Sequence, residues 1–120
     1  MFVGIDSLDI VRMQKFIQNT MFLEKYFTEY EINYTESTAN KTQRLAGIYC
    51  AKEAFLKALG LGIGAGIDLK DIEVNHNSKG KPYIKLSDKA KKIILLYNVK
   101  EIEISITHSY NICTAVCVIL

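Results

Sequence analysis

The order of elements along these 120 residues predicts an α+β domain with a mostly antiparallel sheet. Three observations carry that expectation: a long helical stretch from about Thr38 to Leu59, a hairpin-like pair of strands after it, and two strand-like segments that close the chain. The length suits a single domain spanning residues 1–120, and hydrophobic residues at 49% are ample for one core.

FVGID opens the chain as a short strand that ends in charge, and SLDIVRMQKFI follows with Leu8, Val11 and Phe16 near helical spacing. FLEKYFTEYEI reads as a short helical piece, a break and a second start. Thr28 and Glu31 have the capping-box form, in which hydroxyl and carboxylate each satisfy a free backbone N–H. The long helix ends in GLGIGAG, where Gly60, Gly62, Gly64 and Gly66 can take positive φ. DIEVNH and YIKL read as strands joined by the NSKGKP turn; Ser87 then starts the helix SDKAKKIILLY, and IEISITH and ICTAVCVIL finish the sheet. No internal repeat, low-complexity segment or linker interrupts this order.

A formal charge of +2, from 15 basic and 13 acidic side chains, is too small to argue for nucleic-acid binding. The N-terminus lacks the basic start and apolar core of a signal peptide, and no run approaches the ~18 apolar residues of a membrane span. Cys50, Cys113 and Cys117 are odd in number and lack CxxC spacing, which argues against disulfides or structural zinc and for a reducing cytoplasm. Cys113 and Cys117 share a face with Ala115 and read as buried residues.

The stretch AKEAFLKALGLG sets Lys52, Glu53 and Lys57 in an apolar, alanine-rich helix. At ~100° per residue, Leu45, Ile48, Tyr49, Phe55, Leu56 and Leu59 form a broad stripe expected to pack on the sheet. Ala46, Cys50, Glu53 and Lys57 form the adjacent stripe, whose small members leave room for a ligand beside Glu53 and Lys57; an ordinary exposed i,i+4 ion pair is the alternative. Lys52 projects near the middle of the apolar stripe, where its ammonium must snorkel outward or meet an anion.

Other positions leave similar choices. Asp6 at a strand end and Asp9 three residues later suit either a helix cap or a hard cation. His108 in SITHSY is either a strand-end histidine or a phosphate contact, whereas His76 in VNHNSKG reads as a solvated loop residue. GLGIGA has a GxGxxA form, but a helix precedes it and a strand-like segment follows, the reverse of a dinucleotide-binding turn.

Taken in order, GIDSLDIVRM, FLEKYFTEYEI, LAGIYCAKEAFLKALGLG, DIEVNHNSKGKPYI and ISITHS resemble the acyl carrier protein synthases, small 4′-phosphopantetheinyl transferases, nearly end to end. The resemblance implies that family's fold, a long helix packed on a mostly antiparallel sheet. It also implies transfer of 4′-phosphopantetheine from coenzyme A to a serine of apo acyl carrier protein, releasing adenosine 3′,5′-bisphosphate. By the same resemblance, Asp6 and Glu53 hold Mg²⁺, which typically takes one or two carboxylates, waters and substrate phosphates. Lys57 sits near the pyrophosphate and neutralises the leaving group; either Glu53 or a water on the metal assists loss of the serine proton. Lys52, His108 and Ser109 are implied as coenzyme A contacts, with Lys81 and Pro82 of the NSKGKP turn against its nucleotide end or simply part of a hairpin turn.

The sequence departs from the family pattern at Ile48, where many relatives carry the arginine of LAGRF, and nearby Lys41 or Arg44 can replace that cation. Leu61 replaces a small hydroxyl residue of a GTG turn, and Asp9 is a shortened glutamate. Arg12, Lys15 and Lys25, with Met13 and Phe16, would give a basic and apolar face for the acidic carrier protein. A homotrimer with active sites at subunit boundaries is also implied. A catalytically silent module that binds coenzyme A or carrier protein, or a purely structural oligomerising domain, would keep the fold without the chemistry.

Overall fold

The computed structural model describes residues 1–62 and 65–120; Gly64 of the glycine-rich loop lies outside them. Strand β1 (Phe2–Asp9) leads into helices α1 (Ile10–Ile17), α2 (Thr20–Tyr26), α3 (Glu29–Glu36) and the long α4 (Lys41–Ala58). A short 3₁₀ turn at Leu69–Asp71 precedes the hairpin of β2 (Ile72–His76) and β3 (Pro82–Leu86). Helix α5 (Asp88–Ile94) then leads to β4 (Ile102–Ser109) and β5 (Ile112–Ile119). The strands make a three-stranded sheet of order β1-β5-β4 and a separate two-stranded sheet, all antiparallel, so the predicted α+β class holds.

Three helix starts are set by local chemistry. Asp9 caps α1 by accepting from the Val11 N–H, Asn19 caps α2, and Thr28 and Glu31 form the expected reciprocal capping box at α3. At the other end of α4, Gly60 at φ +70° accepts the left-handed turn that a side chain would resist. The Leu61 N–H reaches the Leu56 carbonyl at 2.8 Å and the Gly60 N–H the Lys57 carbonyl at 3.0 Å, a Schellman ending.

Two boundaries differ from expectation. Ser7, Leu8 and Asp9 pair in register with Thr114, Cys113 and Ile112, so β1 extends to Asp9, Leu8 belongs to the strand rather than to α1, and Asp6 lies mid-strand. The ladder with β5, remote in sequence, outweighs the local helical spacing. Helix α4 begins at Lys41 rather than near Thr38, because Thr38 and Ser37 turn their hydroxyls back onto carbonyls of α3.

The face of α4 that meets the sheet is also different. Eleven of its eighteen residues are buried, so the helix is enclosed on most sides. Gly4 of β1 lies so close to α4 that a Cβ there would stand 2.0 Å from the Ala54 carbonyl oxygen and 2.5 Å from the Ala58 nitrogen; Gly47 makes the matching approach to Ile106. Small residues thus meet the sheet, whereas Tyr49 of the large stripe turns to Phe22, Tyr26 and Phe27 on the α2 side. The close approach leaves no space for Leu or Phe between helix and strand. Cys113 and Cys117 are buried, as the sequence suggested, and Cys50 is buried with them.

Gly4→Ala should therefore destabilise the protein by about 1–3 kcal/mol, the usual range for overpacking, measured by urea unfolding; wild-type stability would mean that α4 and β1 are not locked together at this point.

Candidate active site

Alternation along β1 places Gly4 and Asp6 on the face that meets α4. Two residues beyond the close contact, Asp6 reaches the stripe of Cys50, Glu53 and Lys57. The Lys57 Nζ donates to Asp6 Oδ1 at 2.9 Å, and Asp6 is half-buried while Lys57 remains largely open to solvent. Its hydrogen bond to Asp6, with the Asp6 charge, raises the Lys57 ammonium above the ordinary lysine range.

Burial and the Asp6 charge raise the Glu53 carboxyl, opposed by Lys57 and by the Tyr49 hydroxyl one turn before it. Tyr49 is itself pushed up to about 12 by burial and the Glu53 charge. Burial first, then the Asp6 carboxylate, raises the Cys50 thiol well beyond ordinary values, so this cysteine stays protonated. Two carboxylates from separate elements thus share a partly desolvated place that the Lys57 ammonium only partly neutralises.

That donor set fits a hard divalent cation. Among the described residues no three His, Cys, Asp or Glu side chains converge as an all-protein cage. Two carboxylates and a partly compensated negative charge would match the small protein share of a magnesium ion completed by phosphates.

Other sequence-selected residues lie elsewhere. His108, at the end of β4, contacts the Gln43 side chain. Both border a cleft of about 330 Å³ lined also by Tyr34, Arg44, His76 and Pro82. Lys81 borders a neighbouring groove and pairs with Glu103 at 2.9 Å, and Ser109 is exposed beside the β4–β5 turn. Arg44 and Glu53 are nine positions apart on α4, about two and a half turns, so they lie on opposite flanks of the helix. One chain therefore brings together Asp6, Glu53 and Lys57 on one flank and sets His108 and Pro82 on the other.

Three expectations need correction. Lys52 neither snorkels nor reaches a ligand cleft; with no exposed side-chain surface, it donates to Glu31 Oε1 at 2.6 Å and to the Tyr26 carbonyl at 2.7 Å. A fully enclosed ammonium is out of reach of a phosphate. Burial lowers the Lys52 ammonium and raises the Glu31 carboxyl, each opposed by the partner's charge. Met13 is a core residue rather than part of an exposed face, although Arg12, Lys15 and Phe16 are exposed on α1. His76 is not a solvated loop residue: it ends β2, stacks on Tyr34 at 4.0 Å, and has its Nδ1 buried without a partner.

Sequence reasoning did not select Tyr34, Gln43 or Tyr49 for the site. The only signal for Tyr49 was its position one turn before Glu53. A further cleft of about 360 Å³ beside Glu53 is bordered by Lys25, Tyr26, Tyr49, Leu56 and Lys70.

The sequence matches the 4′-phosphopantetheinyl transferase superfamily over residues 2–115. It is 42% identical over 110 residues to the holo-[acyl-carrier-protein] synthase of Cytophaga hutchinsonii, covering 89% of this chain and 87% of that protein. The corresponding synthase of a Thermoanaerobacter strain is 40% identical over 121 residues, covering 98% and 87%. Among solved structures, the Helicobacter pylori synthase in complex with coenzyme A superposes with a TM-score of 0.87 at 31% identity, covering 98% of this chain and 99% of that one. The Neisseria meningitidis synthase gives a TM-score of 0.91 at 22% identity, covering 99% and 97%, a likeness of fold.

Removing the Asp6 charge should return Lys57 toward an ordinary lysine. In a ¹⁵N-detected pH titration, Asp6→Asn is expected to lower the Lys57 midpoint relative to wild type. The sign follows from the raised folded-state value: stability from this pair is present below the ordinary lysine range and is lost as pH rises through the folded midpoint. Equal midpoints would separate the two side chains in solution.

Proposed function

The chain belongs to the 4′-phosphopantetheinyl transferase superfamily, and we propose that it works there as a holo-[acyl-carrier-protein] synthase. It transfers 4′-phosphopantetheine from coenzyme A to a serine of apo acyl carrier protein, giving holo-acyl carrier protein and adenosine 3′,5′-bisphosphate. In this chain the observation that carries the chemical reading is the junction of β1 and α4, where Asp6 binds the Lys57 ammonium and lies close enough to Glu53 for its charge to raise that carboxyl.

Asp6 and Glu53 are the residues that would hold Mg²⁺, which when bound supplies positive charge against the coenzyme A pyrophosphate. The Lys57 ammonium, exposed beyond them, neutralises charge on the departing adenosine 3′,5′-bisphosphate. In the transfer, the serine Oγ forms a bond to the pantetheine-bearing phosphorus as the bond to the bridging oxygen breaks. Either the Glu53 carboxylate or a water assists loss of the serine proton, and Lys57, kept charged by its bond to Asp6, stands as a fixed cation for the leaving phosphate.

The opposite-flank geometry supports a trimeric reading. His108, Pro82, Arg44 and His76 form the nucleotide-end wall of one site, and the Asp6 and Glu53 pair of a neighbouring copy completes it. Lys81 and Ser109 adjoin Pro82 and His108 of that wall in the chain, and Arg44 supplies a cation on the flank where Ile48 has none. Val3 and Ile5 are exposed on the outer face of the three-stranded sheet, and Val116 and Val118 line a groove there; this apolar surface suits the contact between copies. The acceptor docks through Arg12, Lys15 and Lys25, the last of which borders the cleft beside Glu53. Among the described residues no helix is long and apolar enough to cross a membrane, and the buried free thiols suit a reducing cytoplasm.

Intact-mass analysis of apo acyl carrier protein incubated with this protein, coenzyme A and Mg²⁺ should show the gain of one phosphopantetheine group, abolished by EDTA. No gain with several folded carriers would favour the silent binding module. Glu53→Gln should reduce transfer by roughly 100-fold or more while leaving the fold intact; normal turnover at limiting Mg²⁺ would remove Glu53 from the metal pair. Lys15→Glu with Lys25→Glu should raise KM for the carrier about tenfold and leave KM for coenzyme A unchanged, and an unaltered carrier dependence would reject this docking face.

A further inference from the structure

We propose that Lys52 is a positioning residue for Glu53, fixing the rotation of α4 about its own axis. This rests on the reading of Glu53 as a metal carboxylate. Lys52 is its immediate neighbour and turns into the protein interior. Its ammonium donates to Glu31 Oε1 at 2.6 Å and to the Tyr26 carbonyl at 2.7 Å, and lies 5.2 Å from the centre of the Phe27 ring. Glu31 is held in turn: Oε1 accepts from the Thr28 N–H at 2.8 Å and Oε2 from the Val74 N–H at 2.8 Å. Lys52 thus ties α4 to the end of α2, the start of α3 and strand β2 at one point.

On the sheet side α4 is held by the close contact of Gly4 with Ala54 and Ala58, and Lys52 adds a directional restraint away from the sheet. A turn of α4 by about 20° would carry a side chain at the ~5 Å helix radius through roughly 2 Å. A carboxylate displaced that far loses its place in a small octahedral ion site, where ligand distances are narrow. The directional ion pair at Lys52 opposes such a turn. A buried pair is a weak source of net stability compared with apolar residues of similar size, which leaves orientation as what it contributes.

The test uses the full chain with Lys52→Met, Lys52→Arg and the double variant Lys52→Met with Glu31→Gln, which leaves no unpaired buried charge. Each is followed by thermal unfolding, by direct Mn²⁺ binding in electron paramagnetic resonance with coenzyme A present, and by the Mg²⁺ dependence of transfer. Folded Lys52→Met, or the double variant if the single one does not fold, should bind Mn²⁺ ~10-fold more weakly and need correspondingly more Mg²⁺, with Lys52→Arg within ~threefold of wild type. Wild-type Mn²⁺ affinity in a folded Met variant would overturn the proposal, as would a double variant that fails to fold, since Lys52 would then serve the fold alone. The wild-type titration judges the premise separately: absence of saturable Mn²⁺ binding there rejects the metal site itself, whereas equal binding by wild type and variants rejects only the role of Lys52.

Discussion

One buried carboxylate joins three parts of this protein. Glu31 completes the cap of α3, accepts the Val74 N–H of β2 and receives the Lys52 ammonium of α4, with no part of either charged side chain exposed. Removing two charges from water is costly, and the arrangement persists because their oxygen and nitrogen atoms meet partners of fixed direction. The helix bearing the chemistry is therefore held against the hairpin by directional bonds and against the sheet by close contact at Gly4.

The same helix treats its charges in different ways. Lys52 is enclosed and neutralised within the fold, whereas Lys57, five positions later, remains largely open and pairs with Asp6 across the boundary between strand and helix. Between them Glu53 is half-sheltered, close enough to Asp6 to feel its charge and open enough to border a cleft. The proposed polyphosphate site would use this gradation, with fixed side chains beneath and charge near the surface.

The opposite flank of α4 carries a different chemistry. Arg44, Tyr34 and His76 are drawn together beside Gln43 and His108, with the His76 ring stacked and one nitrogen unpaired. Half a helix circumference separates this wall from the acidic pair, which follows from 3.6 residues per turn rather than from any loop placement. The combination of two incomplete surfaces with an apolar outer sheet face gives assembly a direct catalytic use in the proposed trimer.

Several features were legible because they depend on neighbours in sequence. The Thr28 and Glu31 cap spans three residues, the glycine after α4 suits a left-handed turn, and Glu53 and Lys57 share a stripe through helical spacing alone. The nearly end-to-end order of short segments also disclosed the family, and with it the fold and activity. Remote partners were not legible. Only β5 could extend β1 through Asp9; only the approach of Gly4 decided that small residues rather than Leu45 and Phe55 meet the sheet; and only the fold brought Glu31 to Lys52 and Tyr34 to His76. Spacing along a helix determines which side chains share a flank, but the element that covers that flank is chosen by packing between residues far apart in the chain. The sequence by itself therefore determined the family and the stripe bearing Glu53 and Lys57, while the tertiary structure decided that Asp6 would meet Lys57 and that Lys52 would be buried against Glu31.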